Sequence, residues 1–342
     1  MASPVTVLLV THPRYLDHEP VRGHPERPAR LQAVLQGIEA SGVADGVVPS
    51  PPRPATREEL ARVHDAAHLD QLDRIAHAGG GWIDADTAMG EASLDAAVLA
   101  AGAGLAAIEA LDRGEGDAAF CAVRPPGHHA TPATAMGFCL LNNVAVAAAA
   151  LAERGERVLV VDFDAHHGNG TQDVFWADPR VAYVSLHQHP LYPGTGGRHE
   201  VGGGPARGLT VNVPLPPGST GDAHRAAVEL LVAPLVATFR PTWLLLSAGF
   251  DAHRADPLTD LGLTAGDFAD LTADLAALVP AGRRLAFLEG GYDLPALAAS
   301  AGACVAALAG ERVHTEAPTG GGPGRAEVQA AVLVREEALA GG

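Results

Sequence analysis

The sequence predicts an α/β fold, a single domain with a central, mostly parallel sheet flanked by helices. Two observations favour it. Short aliphatic runs alternate with Ala- and Leu-rich stretches of helical length, and polar residues directly follow several of the runs. Apolar residues make up 47% of the 342 residues and charged residues 18%, so the chain has enough apolar material for one large core.

The aliphatic runs have the length and composition of buried strands, and the stretches between them have the length of helices. The predicted strands are 5–10, 119–123, 158–161, 181–185, 209–213, 243–247 and 285–288. The predicted helices are 29–40, 58–77, 94–111, 143–153, 224–238, 265–278, 294–309 and 326–339. A Gly-rich link precedes the last helix, so we expect a main domain over 1–318, with 319–342 packed on it or trailing it.

Charge and cysteine content narrow the classes of function. The formal net charge of −17 disfavours nucleic-acid binding, which depends on clustered Lys and Arg. The three cysteines are widely spaced and odd in number, which indicates buried thiols rather than a disulfide framework. The first apolar run is too short for a membrane span, and we see no leader pattern, so the expectation is a cytoplasmic protein without a membrane partner.

Four polar segments follow four of the predicted strands. They are Arg-Pro-Pro-Gly-His-His at 124–129, Asp-Phe-Asp-Ala-His-His-Gly-Asn-Gly at 162–170, Ala-Gly-Phe-Asp at 248–251 and Glu-Gly-Gly-Tyr at 289–292. Ligands of open α/β sheets bind beyond the carboxyl ends of the strands, so these segments are expected to converge there.

The second and third segments carry the donors of a metal site. Asp162, Asp164 and His166 alternate along an extended chain and therefore point to the same side. Asp251 is the best candidate for a ligand from elsewhere, because it follows another buried strand and a turn-permitting Gly249. Carboxylate and imidazole suit a catalytic zinc ion with three protein ligands and an open position, although iron or cobalt also accepts this set.

The first and fourth segments supply groups for proton transfer. His128 and His129 follow a stiff Pro-Pro-Gly turn, and histidine titrates near neutral pH, so the pair is suited to accepting and returning a proton. Tyr292 lies on a Gly-Gly turn, from which its hydroxyl can stabilise a developing oxyanion.

Together these motifs resemble the histone deacetylase and acetylpolyamine amidohydrolase family, from His-Pro-Glu-Arg-Pro at 24–28 to Glu-Gly-Gly-Tyr at 289–292. The resemblance implies the arginase/deacetylase fold with an eight-stranded sheet, and hydrolysis of an acetylated amine to acetate and a free amine. Asn169, where other members carry Asp, follows the class II pattern of bacterial homologues.

The resemblance also implies a role for each matched residue. Asp164, His166 and Asp251 correspond to the zinc ligands, and Asp162 with Ser185 to a structural potassium site. Asp162 and Asn169 are expected to orient His128 and His129; because a neutral amide raises a histidine pKa less than a carboxylate, His129 is the expected general base and His128 mainly electrostatic. Gly137, Phe138, Tyr192 and Gly290 are expected around a narrow acyl-lysine tunnel with Leu258 near its mouth, and Arg27 with Cys139 beside an inner acetate cavity.

Several readings remain open at this point. An acetylated lysine of a peptide or protein, an acetylated polyamine and another small acetylated amine present the same amide on an alkyl stem. The apolar Leu258 favours acyl-lysine or broad specificity, whereas Asp84 and Asp86 in a nearby loop can engage a substrate backbone or a cation. A catalytically silent acyl-lysine or acetate-binding module is an alternative from another class. An arginase-like ureohydrolase is disfavoured, because Gly168 stands where a second metal needs an acid. The sequence does not distinguish a monomer from a homodimer.

Overall fold

The computed structural model describes residues 5–341, so residues 1–4 and 342 of the two predicted regions lie outside it. The strands are β1 Val7–Val10, β2 Val47–Ser50, β3 Gly81–Trp82, β4 Ala88–Met89, β5 Ala118–Cys121, β6 Val158–Asp162, β7 Val181–Gln188, β8 Thr210–Leu215, β9 Trp243–Ala248 and β10 Arg284–Leu288. The helices are α1 Ala29–Ala40, α2 Arg57–Leu60, α3 Ala66–His77, α4 Ser93–Asp112, α5 Asn143–Glu153, α6 Asn169–Phe175, α7 Gly221–Ala227, α8 Ala233–Phe239, α9 Ala265–Ala276, α10 Leu294–Leu308 and α11 Arg325–Ala340. A π-helical turn, Val228–Val232, joins α7 to α8.

Eight of the strands form one parallel sheet, in the order β2-β1-β5-β10-β9-β6-β7-β8. Strands β6 and β9, near the middle of the sheet, are buried along their whole length because helices cover them, which explains their largely apolar sequences. The predicted α/β class and the eight-stranded sheet are confirmed. The strands β5, β10, β9 and β6 lie side by side, so the four polar segments that follow them leave the same edge of the sheet.

Several elements differ from the sequence prediction, among them the short strands β3 and β4, which were not predicted, and the helix predicted over 224–238, which forms as α7, a π-helical turn and α8. Strand β2 was not predicted, because it is four residues long, half-exposed and contains Pro49, which an edge strand tolerates. The predicted helix 58–77 is broken into α2 and α3, since Asp65 begins α3 in an extended conformation and its N–H donates to the carbonyl of Pro132. Helix α6 was also missed; it begins directly after the polar segment of β6.

Helix α4 is long and apolar enough to cross a membrane by length and composition alone, with a mean hydropathy of 1.7 over its most apolar window. However, 72% of that window is buried inside the protein, where α4 packs on α5 and β5. Its apolarity is thus explained by its place in the core. All three cysteines are buried free thiols, as expected from their spacing.

The last helix, α11, packs against β8 and α7. Val328 and Ala331 on this helix are buried, and the Arg335 Nε donates to the carbonyl of Gly208 at 3.2 Å. Residues 326–340 therefore lie on the same body as the sheet, while the boundary at residue 318 stays a prediction.

Candidate active site

Asp164, His166 and Asp251 meet beyond the ends of β6 and β9. One potential ligand atom from each lies within 4.8 Å of the other two. The His166 Nδ1 is 2.9 Å from Asp251 Oδ2 and 3.1 Å from Asp164 Oδ1. Both carboxylates are buried, and burial together with the charge of Asp164 raises the pKa of Asp251 to about 7. Two buried carboxylates this close need a positive partner, and two acids with one imidazole suit a divalent cation.

Glycines leave the space that these carboxylates occupy. A Cβ atom on Gly249 would lie 2.0 Å from Asp164 Oδ2, and one on Gly290 would lie 2.3 Å from Asp251 Oδ2. The Gly290 N–H instead donates to Asp164 Oδ2 at 2.7 Å, and the Ala165 N–H donates to Asp251 Oδ1 at 2.8 Å. These carboxylate oxygens are therefore oriented by backbone donors, and Gly290, which was predicted to bind substrate, contacts the candidate metal site itself.

His128 and His129 lie beside this cluster with their rings 4.1 Å apart. The His128 Nδ1 is 3.0 Å from Asp162 Oδ2, and the His129 Nδ1 is 2.8 Å from Asn169 Oδ1. The structure thus brings together both predicted pairs. Tyr183, which the sequence did not single out, donates its hydroxyl to Asp162 at 3.1 Å.

The two histidines have opposite electrostatic environments. Burial alone lowers the pKa of His128, but Asp162 and Asp164 outweigh it and hold that pKa well above its usual value. Burial, His128 and His166 together lower the pKa of His129 well below its usual value. These opposite shifts favour the charged form of His128 and the neutral form of His129, the form that can accept a proton.

Glu289 holds the turn that presents the histidine pair. Its Oε2 accepts the N–H of Gly127 at 2.7 Å and of His128 at 3.1 Å. Burial raises the pKa of Glu289 to about 7. The sequence showed this acid only as part of the tyrosine motif, and its contact with residues 127–128 depends on β5 and β10 being neighbours in the sheet.

Tyr292 is held by residues that the sequence did not single out. Its N–H donates to Asp256 Oδ2 at 2.7 Å, and the Arg30 guanidinium lies 4.8 Å from the centre of its ring. The Arg30 Nε donates to the carbonyl of Gly291 at 2.6 Å. The expectation for Arg27 was wrong: Arg27 is exposed, and Arg30, one helical turn later, is the buried arginine. Its four-residue spacing from the buried Glu26, with which it pairs, was the available signal.

Aromatic rings surround the approach to the cluster formed by Asp164, His166 and Asp251. The Tyr192 ring lies edge-on to His129 at 5.2 Å, and the Phe138 ring lies edge-on to Tyr292 at 5.8 Å. Gly137, which precedes Phe138 in the chain, has a φ of +56°, and a Cβ atom there would lie 2.4 Å from the His129 ring and 3.0 Å from the Tyr192 ring. The predicted tunnel residues therefore lie together, and Gly137 is required for the close approach of its loop to His129.

The entrance to this approach is partly exposed and acidic. Tyr192 and Leu258 are each 37% exposed. The β3–β4 hairpin carries Asp84 and Asp86. Burial is the largest cause that raises the pKa of the Tyr192 phenol, and the charges of Asp86 and Asp84 raise it further. The hairpin contacts the aromatic loop directly, because the Phe138 N–H donates to Thr87 Oγ1 at 3.1 Å.

The predicted potassium residues also lie together. Asp162 on β6 and Ser185 on β7 are register partners in adjacent strands. The Ser185 hydroxyl is hydrogen-bonded to His187 Nδ1 at 2.9 Å. A potassium ion at this position stays a prediction.

His64 holds both ends of the loop that carries Gly137 and Phe138. Its Nδ1 is 3.0 Å from the carbonyl of Thr131, and its Nε2 accepts the N–H of Asn142 at 2.9 Å. Only the neutral ring can make both bonds. Burial and the neighbouring His68 lower the pKa of His64 to about 4.

We expect this histidine to make the protein acid-sensitive. The folded pKa lies below the unfolded value, so the contribution is fully present above pH 6.5 and is lost as the pH falls toward 4, by up to about 3 kcal/mol. Urea unfolding at pH 7.5 and pH 4.5 measures it. The His64→Gln variant should lose less free energy of unfolding across this range than the parent; equal losses would contradict the assignment.

The sequence and the fold have clear relatives. Residues 24–308 match the histone deacetylase domain family. The chain is 40% identical over 292 residues to a probable deacetylase of Archaeoglobus fulgidus, which covers 84% of this chain and 81% of that protein. It is also 40% identical over 277 residues to the histone deacetylase-like amidohydrolase of Pseudomonas aeruginosa, and this match covers 79% of this chain and 73% of that protein.

A plant relative and a solved structure agree with these matches. Histone deacetylase 15 of Arabidopsis thaliana is 42% identical over 314 residues, and the match spans 90% of this chain but 56% of that longer protein. The crystal structure of the HDA15 HD domain superposes with a TM-score of 0.89 at 38% identity, covering 97% of this chain and 95% of that one. The family match and the shared fold together show that this chain belongs to the histone deacetylase family.

Proposed function

We propose that the protein is a zinc-dependent deacetylase that releases acetate from acetylated lysine side chains of peptides or proteins. The observation that carries the proposal is the convergence of the Asp164, His166 and Asp251 cluster with the His128–His129 pair at the end of an aromatic-lined approach. A divalent cation held by that cluster supplies Lewis-acid polarisation of an amide carbonyl and lowers the pKa of water.

The chain's own residues perform the proton transfers. The neutral His129 accepts a proton from the attacking water, and Asn169 holds its ring in the required orientation. The Tyr292 hydroxyl donates a hydrogen bond to the oxyanion that develops on the carbonyl oxygen. The cationic His128, held by Asp162, stabilises the same negative charge. A protonated histidine then returns the proton to the amine nitrogen as the amide bond breaks.

The shape of the entrance favours a lysine side chain over a free polyamine. In this proposal, Phe138 and Tyr192, whose rings lie edge-on to Tyr292 and His129, flank the aliphatic stem of the substrate and exclude water from it. Leu258 at the exposed rim is apolar, and the exposed Asp84 can accept N–H groups of a peptide backbone. The acidic hairpin also suits a second cationic group, which keeps an acetylated polyamine as the alternative substrate.

The test is acetate release by the zinc-loaded protein from an acetyl-lysine peptide and from acetylated putrescine and spermidine. We expect faster turnover of the peptide. In the Tyr292→Phe variant, kcat should fall about 10²- to 10³-fold because the oxyanion loses a donor, while the zinc content stays unchanged.

Faster turnover of the polyamines would make the protein an acetylpolyamine amidohydrolase with the same chemistry. Absence of turnover on every substrate, with zinc bound, would contradict the deacetylase proposal and favour a silent binding module.

A further inference from the structure

The segment after α10 folds back over the loop that follows β9. The irregular residues 311–324 lie beyond the matched family domain, which ends at residue 308. Glu316 Oε2 accepts the N–H of Ala265, the first residue of α9, at 3.1 Å. The carbonyl of Ala317 accepts the Thr264 hydroxyl at 2.8 Å, and the Thr319 N–H donates to Asp267 at 2.9 Å. Three successive anchors thus fix this segment to the start of α9.

Glu316 also holds a histidine in the loop that supplies Asp251. The His253 Nε2 lies 2.7 Å from Glu316 Oε2, and its side chain is 5% exposed. The other ring nitrogen, Nδ1, accepts the N–H of Ala255 at 3.1 Å, so the ring donates to Glu316 from Nε2. The Arg254 Nη2 donates to Glu316 Oε1 at 2.9 Å. Burial opposes ionisation of Glu316, but the bonds from His253 and Ala265 outweigh it and lower its pKa, so it is a carboxylate.

The held turn leads directly to Tyr292. The Asp256 N–H donates to the carbonyl of His253 at 2.8 Å, so the position of Asp256 follows from that of His253. Asp256 Oδ2 accepts the N–H of Tyr292 at 2.7 Å, and its Oδ1 accepts the N–H of Leu258 at 3.0 Å. Hydrogen bonds, joined through the covalent structure of His253 and Asp256, therefore connect Glu316 to the tyrosine and to the rim of the approach.

We propose that Glu316 is a positioning residue for the deacetylase site, acting through His253 and Asp256 to place the Tyr292 hydroxyl and the Leu258 rim. The inference rests on the proposed function for its kinetic consequence. A displacement of reacting groups by about 1 Å costs up to roughly 100-fold in rate, so loss of this contact reduces kcat even though Glu316 does not touch the substrate.

The experiment compares Glu316→Ala, Glu316→Gln and Glu311→Ala in the full-length protein. Glu311 is an exposed acid of the same segment and serves as the matched control. We expect kcat of Glu316→Ala to fall roughly 10- to 100-fold. Glu316→Gln should recover part of the loss, because its amide oxygen still accepts from His253 and Ala265.

A second measurement is independent of turnover. The chain has four tyrosines, so labelling with 3-fluorotyrosine gives four ¹⁹F resonances, and the Tyr292→Phe variant identifies the signal of interest. That signal should shift in Glu316→Ala and stay in place in Glu311→Ala. A parent protein without deacetylase activity would contradict the proposed function, while the ¹⁹F shift would still decide the positioning role. If the Tyr292 signal of Glu316→Ala is unshifted and its kcat equals that of the control, the positioning role is overturned, whatever the change in Tm.

Discussion

Replacing Asp251 by asparagine removes metal binding and turnover together. Asparagine keeps the size of the side chain and the acceptor for the Ala165 N–H, but it removes one of two buried negative charges from the ligand cluster. We expect the affinity for zinc to fall more than about 100-fold. Without the metal ion, the substrate carbonyl loses several kcal/mol of charge stabilisation in the transition state. We therefore expect kcat to fall roughly 10³-fold or more.

Metal content after equilibrium dialysis, measured by plasma mass spectrometry, gives the first result, and acetate release gives the second. Asp45→Asn is the matched control because Asp45 is exposed and remote from the cluster in the sequence. Retention of one zinc ion per chain by Asp251→Asn, with the parent activity, would show that the cluster is not the metal site.

Replacing His129 by alanine lowers kcat by about 10²- to 10⁴-fold and leaves KM and the metal content nearly unchanged. The reason is the neutral state of this ring: Asn169 occupies its Nδ1, which leaves Nε2 to take the proton of the attacking water. His199→Ala, an exposed histidine, is the control and should behave as the parent.

The same variant separates an enzyme from a binding module. Steady-state kinetics on the acetyl-lysine peptide and isothermal titration with that peptide are run in parallel. Turnover should be lost while binding persists. Unchanged kcat would remove His129 from the proton transfer and leave the deacetylase mechanism without its base.

The inner part of the fold was predictable because helices bury it. The strands β6, β9 and β10 are mainly apolar and almost wholly buried, and each predicted run overlaps the observed strand. The edge strand β2 lacks that signal since its side chains are half-exposed. The break between α2 and α3 was not predictable from local pattern, because it depends on His64 and Asp65 bonding to the loop at 131–142.

The site was predictable wherever its residues follow strands as polar segments. Asp164, Asp251 and the histidine pair meet as expected, because the ends of adjacent parallel strands share one edge. Residues that act from a distance had no such signal. Arg30 lies within a helix, and Asp256 and Glu316 lie in loops, so their contacts with the site appear only in three dimensions.

The order of strands in the sheet has a consequence for how the protein is made. The metal-ligand cluster draws on the exits of β6 and β9, and the tyrosine comes from the exit of β10, near the end of the chain. Parallel pairings between such distant segments form slowly, since long loops must close first. During synthesis, the ribosome therefore releases most of the chain before the third ligand is available. The three side chains that would hold a metal ion can therefore meet only after residue 251 has emerged.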